Sequence, residues 1–260
     1  MIFSRVFPAL IFSASLLLSP ALHAQRTNCD EGNGLLDSAE PKDISSDAIV
    51  KKFAANEAAL KAAFLSYAFS IDLTVQTLDA SSVTGEVRRR ADVTHDAKGK
   101  RSERVSFQTV STLQGISLSV EDYDDADVAG LGLITPDSLN EYYIRYLGHQ
   151  SVDQLGAYSF EVAPKKLNKK GLFQGRVWVD DQDFTIVKTC GKVMRTDSVA
   201  TRSNSRQPLN VTPTFAIYRE QIDGKFWFPT YMRAEDYLEF RRGGVAIRET
   251  VKHLNYKKPS

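Results

Sequence analysis

Residues that could carry out acid–base or nucleophilic chemistry are few and scattered. Three of the four histidines, His95, His149 and His253, lie beyond the first 25 residues, and none has a second histidine or a cysteine near it in the sequence. The chain contains no Gly-x-Ser-x-Gly nucleophile elbow, no His-Glu-x-x-His zinc motif and no phosphate-binding glycine loop. We therefore predict that the protein is not an enzyme and has no catalytic residues, cofactor or metal site.

The charged residues indicate neither a calcium loop nor a nucleic-acid surface. The chain has 33 lysines and arginines and 32 aspartates and glutamates, so its net charge of +1 creates no strong field toward a polyanion. An acidic run at residues 122–127 lacks the alternating oxygen ligands, the central glycine and the closing glutamate of a calcium loop. We interpret this run as a solvated loop or helix face.

Two cysteines, Cys29 and Cys190, could cross-link the chain. An exported protein enters an oxidising compartment, which permits a disulfide between them. One pair is too few for a metal cluster, and two free thiols remain the alternative to a disulfide. Cys29 follows polar residues well past the apolar N-terminal run, so we do not expect it to carry a lipid.

The first 24 residues have the pattern of a secretory signal peptide. Arg5 supplies a positive charge, residues 6–18 are almost wholly apolar, and the small residues Ala21 and Ala24 follow. This apolar run is shorter than the roughly 20 residues that cross a membrane as a helix. We predict cleavage after Ala24 or Ala21 and a soluble periplasmic protein, in which residues 25–45 form a flexible lead-in.

The spacing of apolar residues changes from a helical to a strand period near residue 66. Apolar side chains at three- and four-residue intervals predict one amphipathic helix over residues 46–65. About ten strand-like segments follow between turn sequences, without the helical connections that a parallel sheet needs. The sequence thus predicts a mainly β (α+β) fold with an antiparallel sheet, in one domain over residues 46–260.

The clearest strand pattern also supplies the candidate binding surface. Apolar residues occupy every odd position from Phe69 to Val75, and two later strands carry further large apolar residues. Our candidate lining residues for an apolar cavity are Phe69, Ile71, Leu73, Val75, Val105, Phe107, Trp178 and Trp227. Ordinary core packing is the alternative for the stripe, and structural anchoring is the alternative for the two tryptophans.

The segment between the third and fourth predicted strands interrupts the strand pattern. Residues 117–140 contain the acidic run, then glycines alternating with apolar residues, then a Thr-Pro sequence that can start a helix. We predict short helices and loops that form a lid, with Leu131, Leu133 and Ile134 at its edge. A buried loop plug is the alternative.

Two hairpin sequences resemble those of the outer-membrane lipoprotein-sorting family, the LolA-like superfamily. Residues 173–188 read FQGRVWVDDQDFTIVK, a strand ending in Trp-Val-Asp that turns into one with a Val-Lys pair, and residues 218–230 read YREQIDGKFWFPT. The order of helix, meander, lid and second meander over residues 46–256 is also similar, most closely to larger acidobacterial-style members. The resemblance implies a strongly curved, unclosed half β-barrel under a helical lid.

The same resemblance implies a function. Members of the superfamily hold lipoprotein acyl chains in the cavity or act as lipid-sensing or regulatory surfaces, so we expect a periplasmic lipid- or lipoprotein-binding carrier. The alternative is an envelope sensor or protein-interaction module that docks a partner, such as an envelope membrane protein, without carrying lipid. The expected partners are acyl chains and not nucleic acid, and we expect a monomer. An early-strand arginine holds the lid in the carrier, and Arg88, Arg89 and Arg90 are equal candidates here.

Overall fold

The computed structural model describes residues 26–119, 122–123, 134–167, 171–194, 212–240 and 243–258. The predicted signal peptide and the lid residues Leu131 and Leu133 lie outside the described residues. Within the described part of the chain, no helix is long and apolar enough to cross a membrane.

The helix α1 spans Ser46–Phe64, close to its predicted bounds. It begins after Ser45, whose side-chain oxygen accepts a hydrogen bond from the backbone N–H of Ala48 at 3.3 Å, and Asp47 adds negative charge where the helix dipole is positive. The buried side chains recur at helical spacing and are Ile49, Phe53, Ala54, Glu57, Leu60 and Phe64. One of them is a carboxylate, which the apolar pattern did not predict.

The described residues form ten strands, the number predicted from the sequence. They are β1 Ala68–Asp79, β2 Ser82–His95, β3 Arg101–Gln108, β4 Tyr142–Val152, β5 Leu155–Pro164, β6 Leu172–Asp180, β7 Ile186–Met194, β8 Phe215–Ile222, β9 Phe226–Phe240 and β10 Gly243–Lys257. Their order across the sheet is β3-β2-β1-β10-β9-β8-β7-β6-β5-β4, and every neighbouring pair is antiparallel. β3 and β4 are the two edges, so the sheet is not closed into a barrel.

The sheet curves around α1, which packs on the face that we call the helix face. The ring of Phe53 lies 5.7 Å from that of Phe160 on β5. The ring of Phe64 lies 4.8 Å from that of Phe69 on β1. β1 and β5 are six positions apart in the sheet, so in a flat sheet these two strands would be about 29 Å apart. Phe53 and Phe64 are only about 16 Å apart along the helix axis. One helix can therefore contact both strands only because the sheet is strongly curved. The curvature confirms the predicted half-barrel.

The N-terminal segment crosses the opposite face of the sheet, and we call residues 26–39 the strap and this face the strap face. Cys29 forms a disulfide with Cys190 on β7, with 5.5 Å between their Cα atoms, as the sequence permitted. A backbone bridge joins Asn33 to Val152 at the end of β4. The prediction of a flexible lead-in is therefore wrong for this segment. The strap has no helix or strand of its own, but covalent and hydrogen bonds fix it to the sheet.

A lysine is buried beneath the strap. Lys188 on β7 donates hydrogen bonds from Nζ to the carbonyl oxygen of Glu31 at 2.5 Å and to Oδ1 of Asn33 at 2.9 Å. Its ammonium group lies 4.9 Å from the ring centre of Trp178 and 5.2 Å from that of Tyr218. Burial lowers the pKa of Lys188, and the strap acceptors offset the lost hydration. The strap thus packs directly on the strands beneath it.

Candidate functional site

Three neighbouring strands, β2, β1 and β10, present aliphatic side chains on the helix face. Their register pairs Val75 with Val87 and Leu73 with Val251, so these side chains lie side by side. We call this surface the aliphatic floor, and it consists of Ile71, Leu73, Val75, Val87, Val93 and Val251, all buried. In the described chain, the ring contacts between α1 and β1 are confined to Phe69, at the start of the strand. The floor therefore extends past the aromatic contacts of α1.

The residues that follow β3 run along β2 and turn over the floor. Thr112 donates its backbone N–H to the carbonyl oxygen of Glu86 at 3.1 Å, and Gln114 donates its backbone N–H to Oγ1 of Thr77 at 3.2 Å. The apolar side chains from this region that pack against the core, which we call the cover, are Leu113, Leu118 and Tyr123. The cover thus contributes apolar side chains to the core cluster that contains the floor.

A glycine allows the cover segment to approach β2 closely. A Cβ atom at Gly85 would collide with the carbonyl oxygen of Thr112 and crowd the backbone of Leu113. Position 85 pairs with Thr77, which is the same threonine that accepts the hydrogen bond from the cover segment. The cover is therefore anchored at one end of the floor by backbone proximity and a few hydrogen bonds.

Of the three consecutive arginines, the structure places Arg89 on the helix face. Arg89 pairs with Leu73 of the floor, whereas Arg90 pairs with Asp72 on the polar side and binds its carboxylate at 2.8 Å. The guanidinium of Arg89 forms an ion pair with Glu103 and lies 4.7 Å from the ring centre of Tyr123 in the cover. The sequence alone did not select among these arginines, because only the strand register shows which one shares a face with the floor.

β10 adds two titratable side chains to the helix face. Glu249 pairs with Val75 on one side and Ala234 on the other. Burial, together with the nearby carboxylate of Asp122, raises the pKa of Glu249 to about 7. Burial lowers the pKa of His253 to about 4. Both shifts favour the neutral forms, so near pH 7 His253 is neutral and Glu249 is about half protonated.

Four of the predicted lining residues lie together on the helix face, a fifth lies at its exposed edge, and a sixth lies on the opposite face. Phe69, Ile71, Leu73 and Val75 are all buried there, in one cluster. Val105 pairs with Ala91, a helix-face position, but it is 46% exposed at the sheet edge. Phe107 pairs with Arg90 because a bulge shifts the register of β3, so its placement with the lining residues is wrong.

The two tryptophans lie on the strap face, so their assignment to the cavity lining is also wrong. Trp178 is fully buried in a second cluster with Val152, Ala157, Val187, Cys190 and Ala216, and Trp227 packs against that cluster. β6 and β7 are buried on both faces, so apolar content could not tell which face a residue occupies. The alternative interpretation, structural anchoring, fits their placement.

Of the predicted lid residues, Ile134 is described, and it is fully buried in the main core cluster. It precedes the short 3₁₀ helix Pro136–Glu141, which leads into β4 and packs against α1. The connection from β3 to β4 joins the two edges of the sheet. Its described parts pack on the helix face, through Leu113, Leu118, Ile134 and Leu139.

A buried ion pair that sequence reasoning missed fixes α1 to the sheet. Arg219 on β8 donates from Nη1 to Oε1 of Glu57 at 2.5 Å and from Nη2 to Oε2 at 3.1 Å, and both side chains are only 1% exposed. Nη1 also donates to the carbonyl oxygen of Ile186 at 3.2 Å. The sequence did contain one indication of a buried ion pair. Glu57 lies four residues after Phe53, on the apolar face of α1, where a carboxylate needs a buried cation as its partner.

Comparisons with known proteins find distant structural similarity alone. No family model matches the sequence, and no curated protein matches it. A LolA superfamily protein from Nitrosomonas europaea is 14% identical, with a TM-score of 0.43 over 84% of this chain and 94% of that chain. A DUF1329 family protein from Desulfovibrio piger is 16% identical, with a TM-score of 0.36 over 80% and 93%.

The MucA/MucB complex from Pseudomonas aeruginosa contains a further similar chain, 12% identical, with a TM-score of 0.21 over 79% of this chain and 98% of that chain. Because all of these similarities are distant, we base the proposed function on contacts within this chain.

Proposed function

We propose that this chain is a periplasmic lipid- or lipoprotein-binding protein that shelters acyl chains between the aliphatic floor and the cover. The observation that supports this most directly is the floor itself. Six branched aliphatic side chains from three adjacent strands lie beside one another there, and Arg89, which pairs with Leu73, is held in an ion pair with Glu103. Such a surface suits a flexible hydrocarbon chain, because apolar contact depends on area and has little directionality.

Burial of the hydrocarbon chain would provide the free energy for binding an acyl chain. Each methylene group removed from water contributes about 0.8 kcal/mol, so ten buried methylenes contribute about 8 kcal/mol before the cost of association. Leu113, Leu118 and Tyr123 pack against the core cluster that contains the floor, and in this proposal an acyl chain displaces these side chains. The hydrocarbon then replaces contacts of the same kind, and the cover closes over it.

The disulfide supports the proposed compartment. Cys29 and Cys190 are joined in the structure, and such bonds persist in oxidising compartments such as the bacterial periplasm. The predicted signal peptide gives the same location. The ionisable groups beside the floor, Arg89 with Glu103 and the partly protonated Glu249, would lie near the polar end of a bound lipid.

Native mass spectrometry of the chain purified from a bacterial periplasm tests the proposal. We expect a co-purifying phospholipid or acylated peptide, which Leu73→Asp removes because it places a carboxylate in the floor. Leu35→Asp is the matched control, since Leu35 is 96% exposed on the strap, and it should retain the adduct. Circular dichroism must show that both variants fold. A clean apo mass, together with no uptake of an added fluorescent fatty acid, would contradict the proposal.

A further inference from the structure

In the described part of the chain, the edge of the sheet formed by β3 is unpaired and carries two exposed apolar side chains, Val105 and Phe107. β3 is the first strand in the sheet order, and among the described residues no segment pairs with its outer side. Phe107 is 48% exposed on this strand, and Val110, in the segment that continues along β2, is 88% exposed. An outward row of backbone donors and acceptors beside apolar side chains is a template for another strand.

The opposite edge of the sheet, formed by β4, is protected by the strap. Gly34 of the strap donates its backbone N–H to the carbonyl oxygen of Ser151 on β4 at 2.9 Å. Asp37 and His149 exchange two backbone hydrogen bonds of 2.8 Å each. The strap therefore covers the β4 edge at residues 149–152, and natural sheets commonly protect their edges in this way. At the β3 edge, the described chain provides no such cover.

The charges along the β3 edge differ from one end to the other. Lys98 and Lys100, in the turn before β3, are exposed and form no ion pair with any described residue. Arg104 is exposed and is paired with Asp92 at 2.7 Å. Residues 109–118, at the other end, contain no charged side chain. A complementary strand would therefore be acidic at one end and uncharged at the other.

We propose that the β3 edge binds an extended segment of a partner protein by strand addition. The segment is acidic at the end that lies beside Lys98 and Lys100, and apolar at alternate positions on the face where it contacts Phe107. Backbone hydrogen bonds supply the affinity, and the apolar and charged contacts supply the direction and register. This surface is distinct from the aliphatic floor, so the chain would bind a protein partner and an acyl chain at different places.

The test uses the chain without its signal peptide and three synthetic ten-residue peptides. The first has two glutamates followed by alternating valine and threonine, the second has lysines in place of the glutamates, and the third has a central proline. Binding is measured by fluorescence anisotropy and hydrogen exchange. We expect the acidic peptide to bind at least about tenfold more tightly than either control and to slow exchange of the β3 amides, because proline removes a strand donor.

Two protein variants locate the contact. Phe107→Lys places a charge on the open edge and should weaken binding of the acidic peptide at least about tenfold. Leu35→Lys, on the strapped edge, should leave binding unchanged. If the acidic peptide slows no β3 amide, the proposal is wrong. Equal losses in the two variants, or equal affinity for the acidic and basic peptides, would also overturn it.

Discussion

The two halves of the sheet are built differently. In β1, buried and partly exposed residues alternate, because one face meets the core while the other carries polar pairs such as Asp72 with Arg90. In β6 and β7, buried residues run consecutively, because α1 covers one face and the strap covers the other. The first half has an aliphatic floor and a cover held by few described hydrogen bonds. The second half, which we call the block, consists of three layers, which are α1, the sheet and the strap.

This difference suggests that one half of the sheet stabilises the fold and the other half binds the ligand. The block is held by a disulfide, the buried Lys188 and the buried pair of Glu57 and Arg219. The described cover is held by apolar contacts and a few backbone hydrogen bonds. We therefore expect substitutions in the block to change the free energy of unfolding strongly, and substitutions near the floor to change ligand access or pH dependence with smaller effects on stability.

The largest expected effect comes from the buried ion pair of the block. Arg219→Met leaves Glu57 buried without its cation and should lower the free energy of unfolding by about 3–5 kcal/mol in urea titrations. The double variant Glu57→Met/Arg219→Met should recover much of this loss, since it leaves no buried charge. A loss below about 1 kcal/mol for Arg219→Met would show that the pair does not hold α1 on the sheet.

The disulfide should have the next largest effect. Cys29→Ser/Cys190→Ala opens a connection between residues that are 161 positions apart and should lower the free energy of unfolding by about 2–4 kcal/mol. Because the strap face is separate from the floor, binding of a fluorescent fatty acid by the folded variant should not change. A loss of fatty-acid affinity in protein that is still folded would mean that the two halves are coupled.

Glu249 should give a smaller, pH-dependent effect. Its pKa in the folded protein is about 7, above the ordinary value of 4.5, so the folded state holds the proton more tightly than the unfolded state. Glu249 thus costs no stability below about pH 4.5; the cost grows as the pH rises from about 4.5 to about 7 and is nearly constant above that. Glu249→Gln should add about 1–2 kcal/mol at pH 8 and nothing at pH 4.

Urea titrations at the two pH values check this prediction, with Glu220→Gln as the exposed control that should show no difference. The low pKa of His253 acts in the opposite direction, since its contribution is lost as the pH falls from about 6.5 toward 4. The wild type and the Glu249→Gln variant both contain His253, so its pH dependence cancels when their free energies of unfolding are subtracted. Equal gains at pH 4 and pH 8 would refute the assigned cause.

The smallest expected effect on stability comes from the anchor of the cover. Gly85→Ala pushes Thr112 away from β2 and should cost about 1 kcal/mol while increasing the rate of fatty-acid uptake, because the cover is loosened. Gly224→Ala is the matched control. Gly224 has a φ of 63° in a turn with open space around it, so alanine there should cost a similar amount without changing uptake. Equal uptake rates in the two variants would contradict the role of the cover.

The difference between the halves also explains how far the sequence could be interpreted. Where one face of a strand is buried, as from Phe69 to Val75, alternation predicted both the strand and the inward side chains correctly. Where both faces are buried, as around Trp178, the same apolar content fits either face, and the assignment failed. The bulge that redirects Phe107 depends on pairing with β2, which no local pattern shows.

Partners from distant parts of the chain were harder still to predict. The ammonium group of Lys188 donates hydrogen bonds to strap residues more than 150 positions earlier in the chain. Arg219 forms its ion pair with a glutamate 162 positions earlier. Nothing in the local sequence distinguishes these residues from surface charges. The two cysteines could be named as a candidate pair because there were only two of them, not because their spacing indicated contact.

The most direct test of the central proposal is photo-crosslinking with a palmitate that carries a diazirine on its hydrocarbon chain, followed by mass-spectrometric mapping. The account predicts crosslinks to β1, β2 and β10, at residues of the aliphatic floor such as Leu73, Val87 and Val251, and to Leu113 or Leu118 of the cover. Excess unlabelled palmitate should suppress them. Crosslinks confined to the strap face or to exposed side chains such as Leu35 and Val110, or crosslinks that palmitate does not suppress, would contradict the account.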